Sequence, residues 1–150
     1  MRMKKLFKKM SLAIGIMFCS MNVLCEKESD DTNDIFCDET TIISEALFND
    51  LDSASFTFID AEIINNCLNI EIEASGCDAN TWVFQLVDSG AIAESLPEQR
   101  FLKCQLINEE ACLASFQRIT SFDLTPIQIE GSHELVLNIE GLESSLTYKY

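Results

Sequence analysis

The sequence predicts an all-β domain over residues 37–150: an antiparallel β-sandwich, immunoglobulin-like, of seven to eight strands. Three observations predict it. From Cys37 onward apolar residues recur with period two, the repeat of a strand with one face buried. Turn residues separate these runs at Ser75-Gly76, Asp88-Ser89-Gly90, Asn108-Glu109-Glu110, Thr125-Pro126, Gly131-Ser132 and Gly141. Finally, two of the runs flank Asn65-Asn66, a pair able to take the positive φ of a two-residue hairpin turn. An α+β fold is the alternative. There are no internal repeats and no low-complexity tracts.

The elements follow in order. Residues 40–43 are a short strand candidate, and 44–49 a helical turn or loop. Residues 56–64 and 67–74 form the clearest unit, a hairpin closed by Asn65-Asn66. That turn sets Ile64 opposite Cys67, Ile63 opposite Leu68, Ala61 opposite Ile70 and Ile59 opposite Ile72. The solvent face then holds Glu62 opposite Asn69 and Asp60 opposite Glu71, with Glu73 beyond. Further strands are expected at 81–87, 101–107, 112–122, 127–130, 134–139 and 146–150. A helical turn is expected at 91–96, before Pro97.

Residues 1–24 stand outside this fold. They carry Arg2, Lys4, Lys5, Lys8 and Lys9 and no acid, and residues 10–24 are apolar except for Ser11, Gly15, Ser20 and Asn22. A basic start followed by about fifteen mostly apolar residues is the pattern of a secretory signal. A spanning helix needs about twenty. Residues 25–36 then read as an acidic tether, too polar to bury a core. All 25 acidic residues lie after Leu24, against Lys27, Arg100, Lys103, Arg118 and Lys149, so the part after the signal carries a net charge of −20. Such a chain repels nucleic acid and anionic headgroups. It suits solubility, cations or a basic partner.

The signal ends at Cys25, followed by Glu26-Lys27-Glu28-Ser29-Asp30-Asp31. This start resembles that of surface lipoproteins of the Bacteroidota type, in which an acidic, lysine-containing tract follows a lipidated cysteine. It departs from the usual pattern at Asn22, where Leu is common, and at Leu24, where a small residue is usual. The resemblance implies a lipid on Cys25 and a place at the outer membrane or cell surface. A free secreted protein, a lipid on Cys19 or an uncleaved anchor remain as alternatives. Ser75-Gly76-Cys77, Glu109-Glu110-Ala111-Cys112-Leu113-Ala114 and Ser121-Phe122-Asp123-Leu124-Thr125-Pro126 also resemble blocks of small lipoproteins of that group. They imply a β-rich envelope domain and no activity.

After Cys25 come Cys37, Cys67, Cys77, Cys104 and Cys112. Outside the cytoplasm these are disulfide candidates. Zinc competes weakly, because no Cys-x-x-Cys or Cys/His pair is present. Two bridges among five cysteines allow fifteen arrangements. A hairpin around Glu109-Glu110 would set Ile107 opposite Cys112 and Cys104 opposite Ser115, pointing Cys104 and Cys112 to opposite faces. Cys77 and Cys112 both stand at strand ends and can meet across the sandwich. The favoured bridges are Cys77–Cys112 and, more weakly, Cys37–Cys67, with Cys104 a buried small hydrophobe.

Candidate sites are few. His133 is the only histidine and sits in a turn, with no nucleophile signature beside it. The carboxylates Asp60, Glu62, Glu71 and Glu73 form a solvated face, with calcium or a basic partner as the sharper reading. Residues 30–34 hold oxygen ligands but lack the glycine and distant glutamate of a calcium loop. Trp82 and Phe84 alternate as core residues; an exposed aromatic there would instead serve sugar stacking. Arg100 is expected to pair with a local acid. The expectation is a lipoprotein acting as a binding or accessory module, without cofactor or catalysis, for a surface protein or glycan. The alternative is a calcium- or carbohydrate-binding sandwich of a surface complex.

Overall fold

The computed structural model describes residues 36–150. The segments expected to be a signal and a tether, with Cys25, lie outside the described residues up to residue 35. The strands are β1 (Glu39–Thr40), β2 (Ile42–Ile43), β3 (Thr57–Ile64), β4 (Cys67–Gly76), β5 (Val83–Ala93), β6 (Glu98–Ile107), β7 (Ala114–Asp123), β8 (Glu134–Ile139) and β9 (Leu146–Lys149), with one short helix, α1 (Glu45–Asn49). They form two sheets, ordered β1-β7-β4-β3 and β2-β5-β6-β8-β9. No helix among the described residues is long and apolar enough to cross a membrane.

Period-two patterning builds the core between the sheets. In β4, Leu68, Ile70 and Ile72 are fully buried, while Glu73 and Ser75 on the opposite face are exposed. From the second sheet Phe84, Leu86, Leu102, Leu106, Leu135, Leu137 and Tyr148 close on them. The Phe84 and Phe122 rings meet edge to face across the layers, 5.6 Å between centroids.

The sheets are mixed, which corrects the expectation of an antiparallel, immunoglobulin-like sandwich. β1 runs parallel to β7, β2 to β5, and β6 to β8. The cause is connectivity. After β6 the chain crosses to the first sheet for the whole of β7, then returns as β8 in the direction of β6. That crossing also removes the hairpin expected around Glu109-Glu110. β7 pairs antiparallel with β4 instead, setting Ser115 opposite Ser75 rather than Cys104.

The β3–β4 hairpin has Ile64 opposite Cys67, Ile63 opposite Leu68 and Ala61 opposite Ile70, with Asn65 at φ 55°. A bulge between Phe58 and Asp60 then changes the register: Phe58, not Ile59, faces Ile72. The larger ring takes the core position, edge to face with Phe56 at 5.2 Å, and Ile59 is left 44% exposed. Two further expectations are corrected. Residues 91–96 are not a helical turn, because β5 bulges between Asp88 and Ile92 and continues to Ala93. Residues 127–130 are not a strand: Pro126 stands in a 3-10 turn, Thr125–Ile127, that buries Ile127.

The 40–43 segment is split between the layers. β1 joins the first sheet and β2 the second, with buried Thr41 between them donating its hydroxyl to Asp123 O at 2.7 Å. This strap closes one side of the sandwich. Ser44 then caps α1, its Oγ accepting Leu47 N–H at 3.2 Å, and Glu45 suits the first turn.

Candidate functional site

The opposite side of the sandwich is open, because the chain crosses there from the second sheet to the first. After α1, residues 48–54 run over β6, held by three of its residues. Lys103 Nζ donates to Phe48 O at 3.1 Å, and Gln105 Nε2 to Asp52 O at 2.6 Å. Leu106 N donates to Ser53 Oγ at 2.9 Å and its carbonyl accepts Ala54 N–H at 2.8 Å. Phe56 and Phe58 then turn inward and β3 begins.

The facing wall is the turn between β8 and β9. Glu140 N–H donates to Leu102 O at 2.9 Å, and Leu142 N–H to Ile139 O at 3.1 Å. Gly141 sits at φ 87° against the Phe58 ring, where a Cβ would come within 3.2 Å of Cε2. The positive φ is what calls for glycine here, and a Cβ would in addition press the Phe58 ring. Between the walls lies a groove of about 1060 Å³.

The groove lining is mixed: half-buried Phe56, Phe58, Ala61, Leu142 and Leu146 and buried Cys104 supply apolar surface, and Ser53, Ser55, Thr57 and Ser144 stand among them. Its rim is acidic, with Asp52, Asp60, Glu140 and Glu143 all exposed. Among the described residues Lys103 is the one cation lining it, and it is engaged. It lies 3.5 Å from Glu140 and 4.5 Å from the centre of the Phe48 ring. Burial pushes the Cys104 thiol up to about 12, so it is protonated at neutral pH and is no nucleophile.

The hairpin carboxylates are placed on the outer face of the first sheet. Asp60 stands opposite Glu71, Glu62 opposite Asn69, and Glu73 opposite Thr57. Gln117 Nε2 donates to Glu73 at 3.3 Å. Among the described residues no three His, Cys, Asp or Glu side chains converge as metal ligands. Of the four, only Asp60 also reaches the groove.

The cysteines are brought together as Cys77 with Cys112 and Cys37 with Cys67, leaving Cys104 as a buried free thiol. Beside the first bridge lies a constellation that no motif marks, because its members come from two loops distant in the chain. The Glu110 carboxylate accepts from Cys77 N at 2.5 Å, Asp78 N at 3.4 Å, Thr81 Oγ1 at 2.6 Å and Trp82 Nε1 at 3.1 Å. These bonds, that from Thr81 foremost, hold its pKa down to about 2. Trp82 is buried and spends its N–H on Glu110, so its ring offers no sugar platform.

Arg100 pairs with Asp88, Nε to Oδ2 at 3.2 Å, both buried between the sheets. Asp88 Oδ1 also accepts Gly90 N–H at 2.6 Å, in the β5 bulge. Burial outweighs these partners and raises the Asp88 carboxyl above its ordinary range. His133 is exposed in its turn.

No protein-family model matches this chain, and no curated protein does. Solved structures do resemble it. One is a protein of unknown function, DUF1344, from Bacteroides vulgatus: 14% identity, TM-score 0.50, covering 75% of this chain and 56% of that one. Another is a NigD-like immunity protein from Bacteroides caccae: 8% identity, TM-score 0.53, covering 73% of this chain and 57% of that one. This chain thus spans little more than half the length of either. The likeness is one of fold, to proteins of Bacteroides.

Proposed function

We propose that this chain is an exported lipoprotein, held at the outer membrane or cell surface by a lipid on Cys25, and that its domain is a non-catalytic binding or accessory module. The observation that carries the reading is the pair of disulfides, Cys37–Cys67 and Cys77–Cys112. Such bridges form and persist outside the reducing cytoplasm. The basic, then apolar, first twenty-four residues supply the route there, and the acidic residues after Cys25 a spacer from the bilayer. A diacylated, N-acylated cysteine carries enough methylenes for stable anchoring. Binding rather than chemistry suits a groove whose lining thiol, Cys104, is protonated and whose carboxylates stand in solvent.

The test is Cys25→Ser in the native host, followed by membrane fractionation and mass spectrometry. The expected outcome is release of the variant from the membrane, and acyl chains on Cys25 of the unaltered protein. Retention of the variant, with no lipid found on Cys25, would sink the reading.

A further inference from the structure

We propose that the groove between residues 51–61 and the 140–146 turn receives a cationic, amphipathic segment of a protein partner, in which apolar side chains alternate with lysine or arginine. This inference deepens the binding-module reading and rests on it. Two features of the groove meet in it. Within its mixed lining, Phe56, Phe58, Ala61, Leu142 and Leu146 offer half-buried apolar surface continuous with the core. Exposed Asp52, Asp60, Glu140 and Glu143 line it as well, and Lys103, the one lysine lining it among the described residues, already engages Glu140. An occupant must therefore bury apolar groups while bringing positive charge to three or four carboxylates.

Other occupants fit less well. A second copy of this chain, at net charge −15, would bring like charge to the rim. Anionic lipid headgroups and nucleic acid are repelled for the same reason. A lone divalent cation needs converging ligands, which the described residues do not present. At about 1060 Å³ and open along its length, the groove is at the top of the size range for compact small molecules and suits a short run of side chains.

A fluorescein-labelled heptapeptide alternating lysine and leucine serves as the probe. It is titrated by anisotropy against the full-length chain in nonionic detergent, with micelles alone as the blank. The expected result is saturable binding that weakens as salt is raised. The matching glutamate–leucine peptide should not bind. Asp52→Asn and Glu143→Gln should each weaken the lysine peptide about two- to fivefold. Ser144→Trp, at an exposed rim position, should occlude the groove while leaving the melting curve unchanged. Glu71→Gln and Glu73→Gln, on the outer sheet face, should leave binding as it was.

Three results would overturn the inference: no saturable binding, equal binding of the acidic peptide, or equal losses from the outer-face and rim variants. The last would reduce the effect to diffuse attraction by the whole acidic surface. Failure here is separable from failure of the anchoring proposal. A chain lipidated on Cys25 that ignores the peptide loses only the groove assignment, and an unlipidated chain that binds it loses only the anchor.

Discussion

Glu110 and Asp88 show how the same carboxyl group acts in opposite senses in one domain. The Glu110 carboxylate ties four donors from residues 77–82, and its pKa falls from an ordinary 4.5 to about 2. A carboxyl depressed on folding stabilises the fold above its unfolded pKa, and that contribution is lost as pH falls through the folded value. Glu110→Gln should therefore lower the melting temperature at neutral pH. The gap to the unaltered protein should narrow as pH drops below about 4.5 and close only as pH passes below about 2. Thermal melts at stepped pH check this; a gap that persists unchanged into acid would contradict it. Asp88 is raised on folding, so it costs stability as pH climbs from 3.8 through its folded value. The guanidinium of Arg100 cannot shed its charge, whereas Asp88 can take a proton. Asp88→Leu, which strands Arg100, should thus cost about 3–5 kcal/mol, and Arg100→Leu less. The double apolar variant should recover most of the loss. Urea unfolding of all three variants decides it, and equal costs for the single changes would count against the asymmetry.

At the scale of the element, strand positions were legible because alternation is local. Leu68, Ile70 and Ile72 announce a buried face within β4 alone. The bulges were not legible, since each is decided by what lies across the interface. Phe58 displaces Ile59 because Phe56 and Gly141 leave room for a ring there. The β5 bulge stands where Asp88 caps Gly90 N–H and reaches Arg100, partners twelve residues and a strand apart. The same limit held at the groove: Asp60 could be assigned to a face of its hairpin, but the facing wall comes from the 140–146 turn. The Cys77–Cys112 bridge is an element-scale device as well. It closes a loop of sequence separation 35 between the end of β4 and the approach to β7. Cys77→Ser or Cys112→Ser should each cost about 3–4 kcal/mol, and the pair of changes little more, since the bond is already lost after the first. Cys104→Ser should instead cost about 1–3 kcal/mol, for a hydroxyl placed in an apolar site. Chemical denaturation of the four variants would test this, and full additivity of the Cys77 and Cys112 changes would refute a shared bond.

For the whole molecule, the all-β class was readable and the pairing between distant strands was not. Neighbouring runs look alike whether they form a hairpin or cross between sheets. Residues 108–113 make such a crossing, fastened by Asn108 Nδ2 to Ser75 O at 2.8 Å and by Glu110 to the 77–82 loop. Nothing in the alternation on either side of them distinguishes that from a tight turn. The crossing is what turns β8 parallel to β6. Charge, in contrast, is a property of the whole chain and was plain from composition. All the acidic residues lie on the part that would be exported, and none in the first twenty-four, so release of the Cys25→Ser variant would yield a soluble, strongly anionic protein.

The Cys37–Cys67 bond also sets a path for mechanical load. It joins the start of the strap to the first residue of β4, a strand paired on both sides. Tension applied to the chain ahead of Cys37 would pass through the sulfurs straight into the middle of the first sheet. The two-residue strands β1 and β2, α1 and all of β3 would lie on a slack branch and bear none of the pull. Reducing that single bond would reroute the force through them, so that the strap peels first and opens the side of the sandwich it seals.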